Sequence, residues 1–120
     1  MEQQAAETFA GEWARSWNDR DLDGVLSHFA DNIVFTSPYA AQLIPGSGGV
    51  VRGKEDLRHY WQTGLERIPD LRFEVLGVYA GVGTVVINYR NQRGTLVNEV
   101  LVFENGVVIE GHGTYMATPQ

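Results

Sequence analysis

Glu99 and His112 lie on two runs rich in β-branched residues, Thr95 to Phe103 and Val107 to Thr114, which are joined by Asn105-Gly106. A two-residue turn at that dipeptide pairs Glu104 with Val107. Stepping back along both strands then sets Phe103 opposite Val108, Leu101 opposite Glu110 and Glu99 opposite His112. Directly opposed side chains stand about 4.5–5.5 Å apart at Cβ, close enough for a carboxylate to fix one imidazole tautomer and raise its basicity. Inside an apolar pocket, such a pair is a general base for proton transfer near neutral pH. Two other readings stay open. A register slip of one residue would leave the pair solvated on the outer face, and a buried pair could simply satisfy itself and fix the strand register.

Glu110 shares the expected face of His112 and is a second candidate carboxylate, although it lies nearer the hairpin tip, where residues usually face solvent. Trp13, Trp17, Ser37, Tyr60, Trp61, Tyr89 and Leu101 are candidates to line the pocket and bind substrate. Aromatic residues at helical spacing also serve as plain core. Buried indole N–H groups of Trp13 and Trp61 need acceptors, which a ligand carbonyl or Glu99 could supply. Tyr39 falls in the loop expected to rim the mouth, where it would gate access or stand exposed.

The elements that must position these groups are legible from periodicity. Ala6, Phe9, Ala10, Trp13 and Trp17 recur at the three-to-four spacing of one helix face. Asp21 is placed to cap a second short helix, with Asp23 favourable at its positive end and Val25, Leu26 and Phe29 as its buried side. Ile33 to Ser37 reads as a strand stopped by Pro38, and a Gly-rich loop is expected from Tyr39 to Gly53. A third helix runs from Lys54 to about Arg67, with Glu55 and Asp56 in its first turn and Leu57, Tyr60, Trp61 and Leu65 as its apolar stripe. Four strands follow: Arg72 to Ala80, Thr84 to Asn91, Thr95 to Phe103 and Val107 to Thr114. Their connections are short, so an antiparallel meander is expected.

At 120 residues the chain is sized for a single domain over 1–120 with its own core. It has no cysteine, which excludes disulfides and thiolate chemistry and fits a cytoplasmic location. The first twenty residues hold no unbroken apolar run, so neither a secretory signal nor a membrane association is expected. A net charge of −6 and scattered Lys and Arg speak against nucleic acid as a partner. His28 and His59 lack metal-ligand spacing, and Gly46, Gly48 and Gly49 match no phosphate-binding fingerprint, so no metal or cofactor is expected. Both faces of the meander carry apolar residues. One must meet the helices and the other needs a cover, which gives a homodimer through the outer sheet face as the expectation.

The segments Trp13-Ala-Arg-Ser-Trp17-Asn18, Asp21-Leu-Asp-Gly24, Phe29-Ala-Asp-Asn-Ile33, Arg52-Gly53-Lys54, Tyr60-Trp61 and Phe103-Glu-Asn-Gly106 occur within the order helix, helix, strand, helix, four strands. In this the chain resembles the nuclear transport factor 2-like superfamily, which includes ketosteroid isomerase, scytalone dehydratase, SnoaL-like polyketide cyclases and many members of unassigned function. The resemblance implies an α+β cone, a curved antiparallel sheet wrapped around three N-terminal helices, with an apolar pocket for a small organic ligand. It also points the face bearing Glu99 inward. Ketosteroid isomerase pairs an aspartate base with an oxyanion hole made of a tyrosine and a protonated aspartate. The base position corresponds to Ser37 here, the tyrosine to Trp13 and the protonated aspartate to Glu99. Only the acidic position is kept, so the isomerase's own chemistry is not implied. The functional expectation is a cofactor-independent isomerase, dehydratase, cyclase or hydrolase that uses His112 and Glu99 on a small apolar carbonyl or hydroxyl compound. A non-catalytic small-molecule binder and an assembly module using the outer sheet face are the alternatives.

Overall fold

The apolar stripe of the first helix is buried, and a capping interaction sets where that helix begins. The computed structural model describes residues 1–117. Helix α1 (Gln3–Asn18) starts where the Glu2 carboxylate accepts the Ala5 N–H at 2.7 Å. It buries Ala6, Phe9, Ala10, Trp13, Ala14 and Trp17. Its last residue, Asn18, accepts the Phe73 N–H at 2.7 Å and donates to the Phe73 carbonyl at 2.9 Å, which straps the helix to the chain entering the sheet. Helix α2 (Leu22–Leu26) is capped by Asp21 as expected. Strand β1 (Phe29–Thr36) follows at once, so Phe29 reaches the core from a strand and not from the helix.

The stretch expected to be a Gly-rich loop is partly ordered into two short elements. Helix α3 (Pro38–Leu43) starts at Ser37, whose hydroxyl accepts the Tyr39 N–H, with Pro38 in the first turn. Strand β2 (Val50–Arg52) pairs antiparallel with β1. Helix α4 (Lys54–Arg67) has Glu55 and Asp56 at its positive end and buries Leu57, Tyr60, Trp61 and Leu65. The Arg20 guanidinium donates to the Leu65 and Ile68 carbonyls at its other end. The meander is β3 (Glu74–Ala80), β4 (Thr84–Arg90), β5 (Leu96–Glu104) and β6 (Val107–Tyr115).

All six strands form one sheet in the order β2-β1-β6-β5-β4-β3. Its pairings are antiparallel except β1 with β6, so the sheet is mixed rather than wholly antiparallel. The architecture is the α+β cone: the inner face of the sheet lies against α1 and α4, and the core sits between them. Asn105 and Gly106 both have positive φ, 52° and 82°, which is the twist a two-residue hairpin requires.

That hairpin starts in the expected register, Glu104↔Val107 and Phe103↔Val108, and then departs from it. A bulge places Val102 opposite Glu110, so Ile109 is the extra residue and every later residue of β6 changes face. Glu99 consequently pairs with Gly113, Leu101 with Gly111 and Val100 with His112. The expected juxtaposition of Glu99 and His112 is corrected: they lie on opposite faces of the sheet.

Candidate functional site

Glu99 is on the inner face of β5 between Val97 and Leu101, and is only 5% exposed. Its partner on β6, Gly113, leaves room beside it. A Cβ built at Gly113 would stand 3.7 Å from both Glu99 Oε1 and Ser37 Oγ and 3.6 Å from Tyr115 Cε1, so these three side chains converge on one point. The Tyr89 hydroxyl donates to Glu99 Oε1 at 3.4 Å. Burial in apolar surroundings pushes the Glu99 carboxyl up to about 8, against a smaller opposing effect of the Tyr89 hydrogen bond. At neutral pH it is therefore mainly a neutral acid. The phenols of Tyr60, Tyr89 and Tyr115 are raised as well, first by burial, and remain hydroxyl donors. The Ser37 hydroxyl partly offsets that rise for Tyr60 and Tyr115.

Beside this carboxyl lies a cavity of about 240 Å³, enclosed by α1, α3, α4 and the inner sheet face. Its wall is largely aromatic. Trp13 stacks on Phe73 with centroids 5.5 Å apart, Phe73 lies 4.4 Å from Tyr89, and Trp17 meets Trp61 edge to face at 5.0 Å. Trp13 is 1% and Trp17 7% exposed, and neither indole N–H has a hydrogen-bond acceptor. A buried donor without an acceptor is costly, by about 1–3 kcal/mol, unless a ligand atom meets it. Tyr39, on α3, is exposed at the rim and packs edge-on against Tyr115.

Trp13, Trp17, Ser37, Tyr39, Trp61, Tyr89 and Glu99 thus all line one cavity. Leu101 does not; it is fully buried in the core below. His112 is on the outer face, where its Nε2 bonds the Glu110 carboxylate and its Nδ1 the Thr36 hydroxyl, both at 2.6 Å. This chain of groups has the connectivity of a catalytic triad. It lies on a partly exposed sheet surface outside the cavity. Among the described residues, no three His, Asp or Glu side chains are grouped as metal ligands.

Sequence reasoning missed Tyr115, Phe73 and the rim arginines Arg67 and Arg93. Tyr115 was hidden by the bulge. The available signal was Val107-Val108-Ile109, three consecutive β-branched residues that break strict alternation, followed by Gly111 and Gly113 spaced to share a face. The two arginines had no signal, because they come from separate loop-proximal positions that only the fold brings to one opening.

The profile of the SnoaL-like domain matches residues 10–120. A SnoaL-like protein of unknown function from Burkholderia thailandensis has 40% identity and a TM-score of 0.91, covering 98% of this chain and 99% of its own. A proposed isomerase of the SnoaL-like family from Agrobacterium tumefaciens has 15% identity and a TM-score of 0.75 over 96% of this chain and 100% of its own. AclR, a proposed hydroxylase from Streptomyces galilaeus, has 22% identity and a TM-score of 0.73 over 96% and 91%. At these last two identities the likeness is one of fold. Among curated proteins, none matches.

Proposed function

The chain belongs to the SnoaL-like family of the nuclear transport factor 2-like superfamily, and from that premise we propose that its cavity catalyses cofactor-independent proton transfer on a small, largely apolar carbonyl or hydroxyl compound, with Glu99 as the acid–base group. The observation that carries this reading is the one carboxyl lining the cavity among the described residues, Glu99, buried beside the Tyr89 phenol while the two arginines stand exposed at the rim. Held mainly neutral, Glu99 donates its proton to a substrate carbonyl or departing hydroxyl oxygen. The carboxylate so formed is stabilised by the Tyr89 hydroxyl and can take a proton back from carbon or water. Trp13 and Ser37 orient the substrate's polar atoms. Such catalysis contributes roughly 10²- to 10⁴-fold. His112 takes no part, because its imidazole faces the other side of the sheet.

The test is exchange of α-hydrogens for solvent deuterium in a panel of aryl ketones and enones, followed by NMR. Glu99→Gln should slow exchange by about a hundredfold or more, while His112→Ala stays near wild type; equal rates in wild type and Glu99→Gln would refute the assignment. A second reading, a non-catalytic binding protein, is favoured by the aromatic lining of the cavity, which binds a flat ligand without turnover. It is distinguished by saturable binding without exchange. We further propose a homodimer through the outer face, where Val86, Val100, Val102 and Ile109 are partly exposed, and a cytoplasmic location. No helix among the described residues is long and apolar enough to cross a membrane. A monomer at all micromolar concentrations in sedimentation velocity would remove the dimer proposal.

A further inference from the structure

The charges around the cavity are unlike those of the chain as a whole. The protein carries a net −6, yet the cavity's lining includes two guanidinium groups, Arg67 at the end of α4 and Arg93 in the β4–β5 turn, against a single acid, Glu99. Both arginines are exposed, which places them at the opening, whereas Glu99 is deep. Ion pairs among the described residues engage Lys54, Arg58, His28 and His112, so neither rim arginine is held by a carboxylate. Glu66 and Asp70 flank Arg67 in sequence but do not line the cavity. A protonated Glu99 adds no negative field.

Trp13 and Trp17 each carry an enclosed N–H without an acceptor, and Gln92 an enclosed Oε1 without a donor. A cavity of about 240 Å³ is smaller than the roughly 300–1,000 Å³ of drug-sized sites, and its stacked aromatic walls favour one or two flat rings.

We propose that the ligand of this cavity is a small aryl or arylaliphatic organic acid whose ring lies between Trp13, Trp17, Trp61 and Phe73 and whose carboxylate is held at the rim by Arg67 and Arg93. This deepens the reading of the same cavity as a substrate site and names the class of substrate. A carboxylate between two guanidinium groups is recognised by charge-assisted, bidentate hydrogen bonds.

The experiment is equilibrium binding of trans-cinnamate, phenylpyruvate and 2-naphthoate, each against its methyl ester, read by quenching of the tryptophans that line the cavity. The acids should bind about tenfold more tightly than the esters, since each exposed ion pair is worth roughly a two- to fivefold change. The preference should shrink in high salt. The double variant Arg67→Gln with Arg93→Gln should lose that preference and leave ester affinity unchanged. Glu99→Gln should keep it even where exchange chemistry is gone, so failure of the proton-transfer reading and failure of this one give different results. Equal or tighter binding of the esters by wild type, an equal loss for acids and esters in the double variant, or no binding of any of the acids at millimolar concentration would each overturn the proposal.

Discussion

Replacing Glu99 by Gln should change how the stability of the fold responds to pH. The carboxyl titrates near 4.5 when solvated and at about 8 in the folded protein. Between those values the unfolded chain has released the proton and the native protein still holds it, so raising the pH favours unfolding. The shift corresponds to roughly 5 kcal/mol at about 1.36 kcal/mol per pKa unit, absent below the unfolded value and fully developed above the folded one. Integrated from pH 5 to 8.5, the loss attributable to Glu99 is about 4 kcal/mol, a large part of a small domain's stability. Glutamine has the same shape and accepts from Tyr89, but its amide needs an acceptor of its own. Left unmet, that adds a pH-independent penalty of about 1–3 kcal/mol. The assay is urea unfolding of both proteins across that pH range, extrapolated linearly to water. The free energy of Glu99→Gln relative to wild type should rise with pH by several kcal/mol, so that only the slope matters and not the offset. A difference that stays flat within about 0.5 kcal/mol would refute the claim that Glu99 is neutral and buried in the native state.

Three further outcomes are expected. His112→Ala should remove the links to Thr36 and Glu110 on the outer face, lowering stability by about 1 kcal/mol and leaving ligand binding intact, which urea unfolding and fluorescence titration would check; a lost ligand site would put His112 back in the cavity. Gly111→Ala should destabilise by about 1–3 kcal/mol through overpacking, because its Cβ would meet Phe35 Cδ1 at 2.9 Å and Leu101 Cδ2 at 3.2 Å; a neutral or stabilising effect in thermal denaturation would contradict the tight inner face. Tyr89→Phe removes the one hydrogen bond that lowers the Glu99 pKa, so the basic limb of any Glu99-dependent rate should move to higher pH; movement to lower pH would show that Tyr89 does not support the carboxylate.

Helices α1 and α4 were legible because their apolar residues repeat at helical spacing and that periodicity survives tertiary packing. Ser37 illustrates what was not. As a serine before a proline it reads as the end of a strand, yet the same dipeptide starts α3, with the hydroxyl as cap and Pro38 in the first turn. A helix of one and a half turns has too few residues to show a period, and strand β2, with three, has none. Strand β2 forms by pairing with β1, and α3 packs against β2 and, through Tyr39, against Tyr115.

The assignment of chemistry turned on one residue. Side chains on a strand alternate, so the single extra residue at Ile109 exchanges the two faces of everything beyond it. Without the bulge, Glu110 and His112 would enter the cavity. The side chains of Glu99 and Leu101 would then face filled positions instead of the open glycine positions at 113 and 111. The glycines are informative here: Gly111 admits Phe35 and Leu101, and Gly113 leaves space where Glu99, Ser37 and Tyr115 converge. The sequence Gly111-His112-Gly113 is thus consistent with one face only, small toward the core and polar toward the outside. A deep, neutral carboxyl opposite a glycine is the arrangement that lets a ligand atom approach Glu99, and it follows from the bulge rather than from the residues that looked most like a catalytic pair.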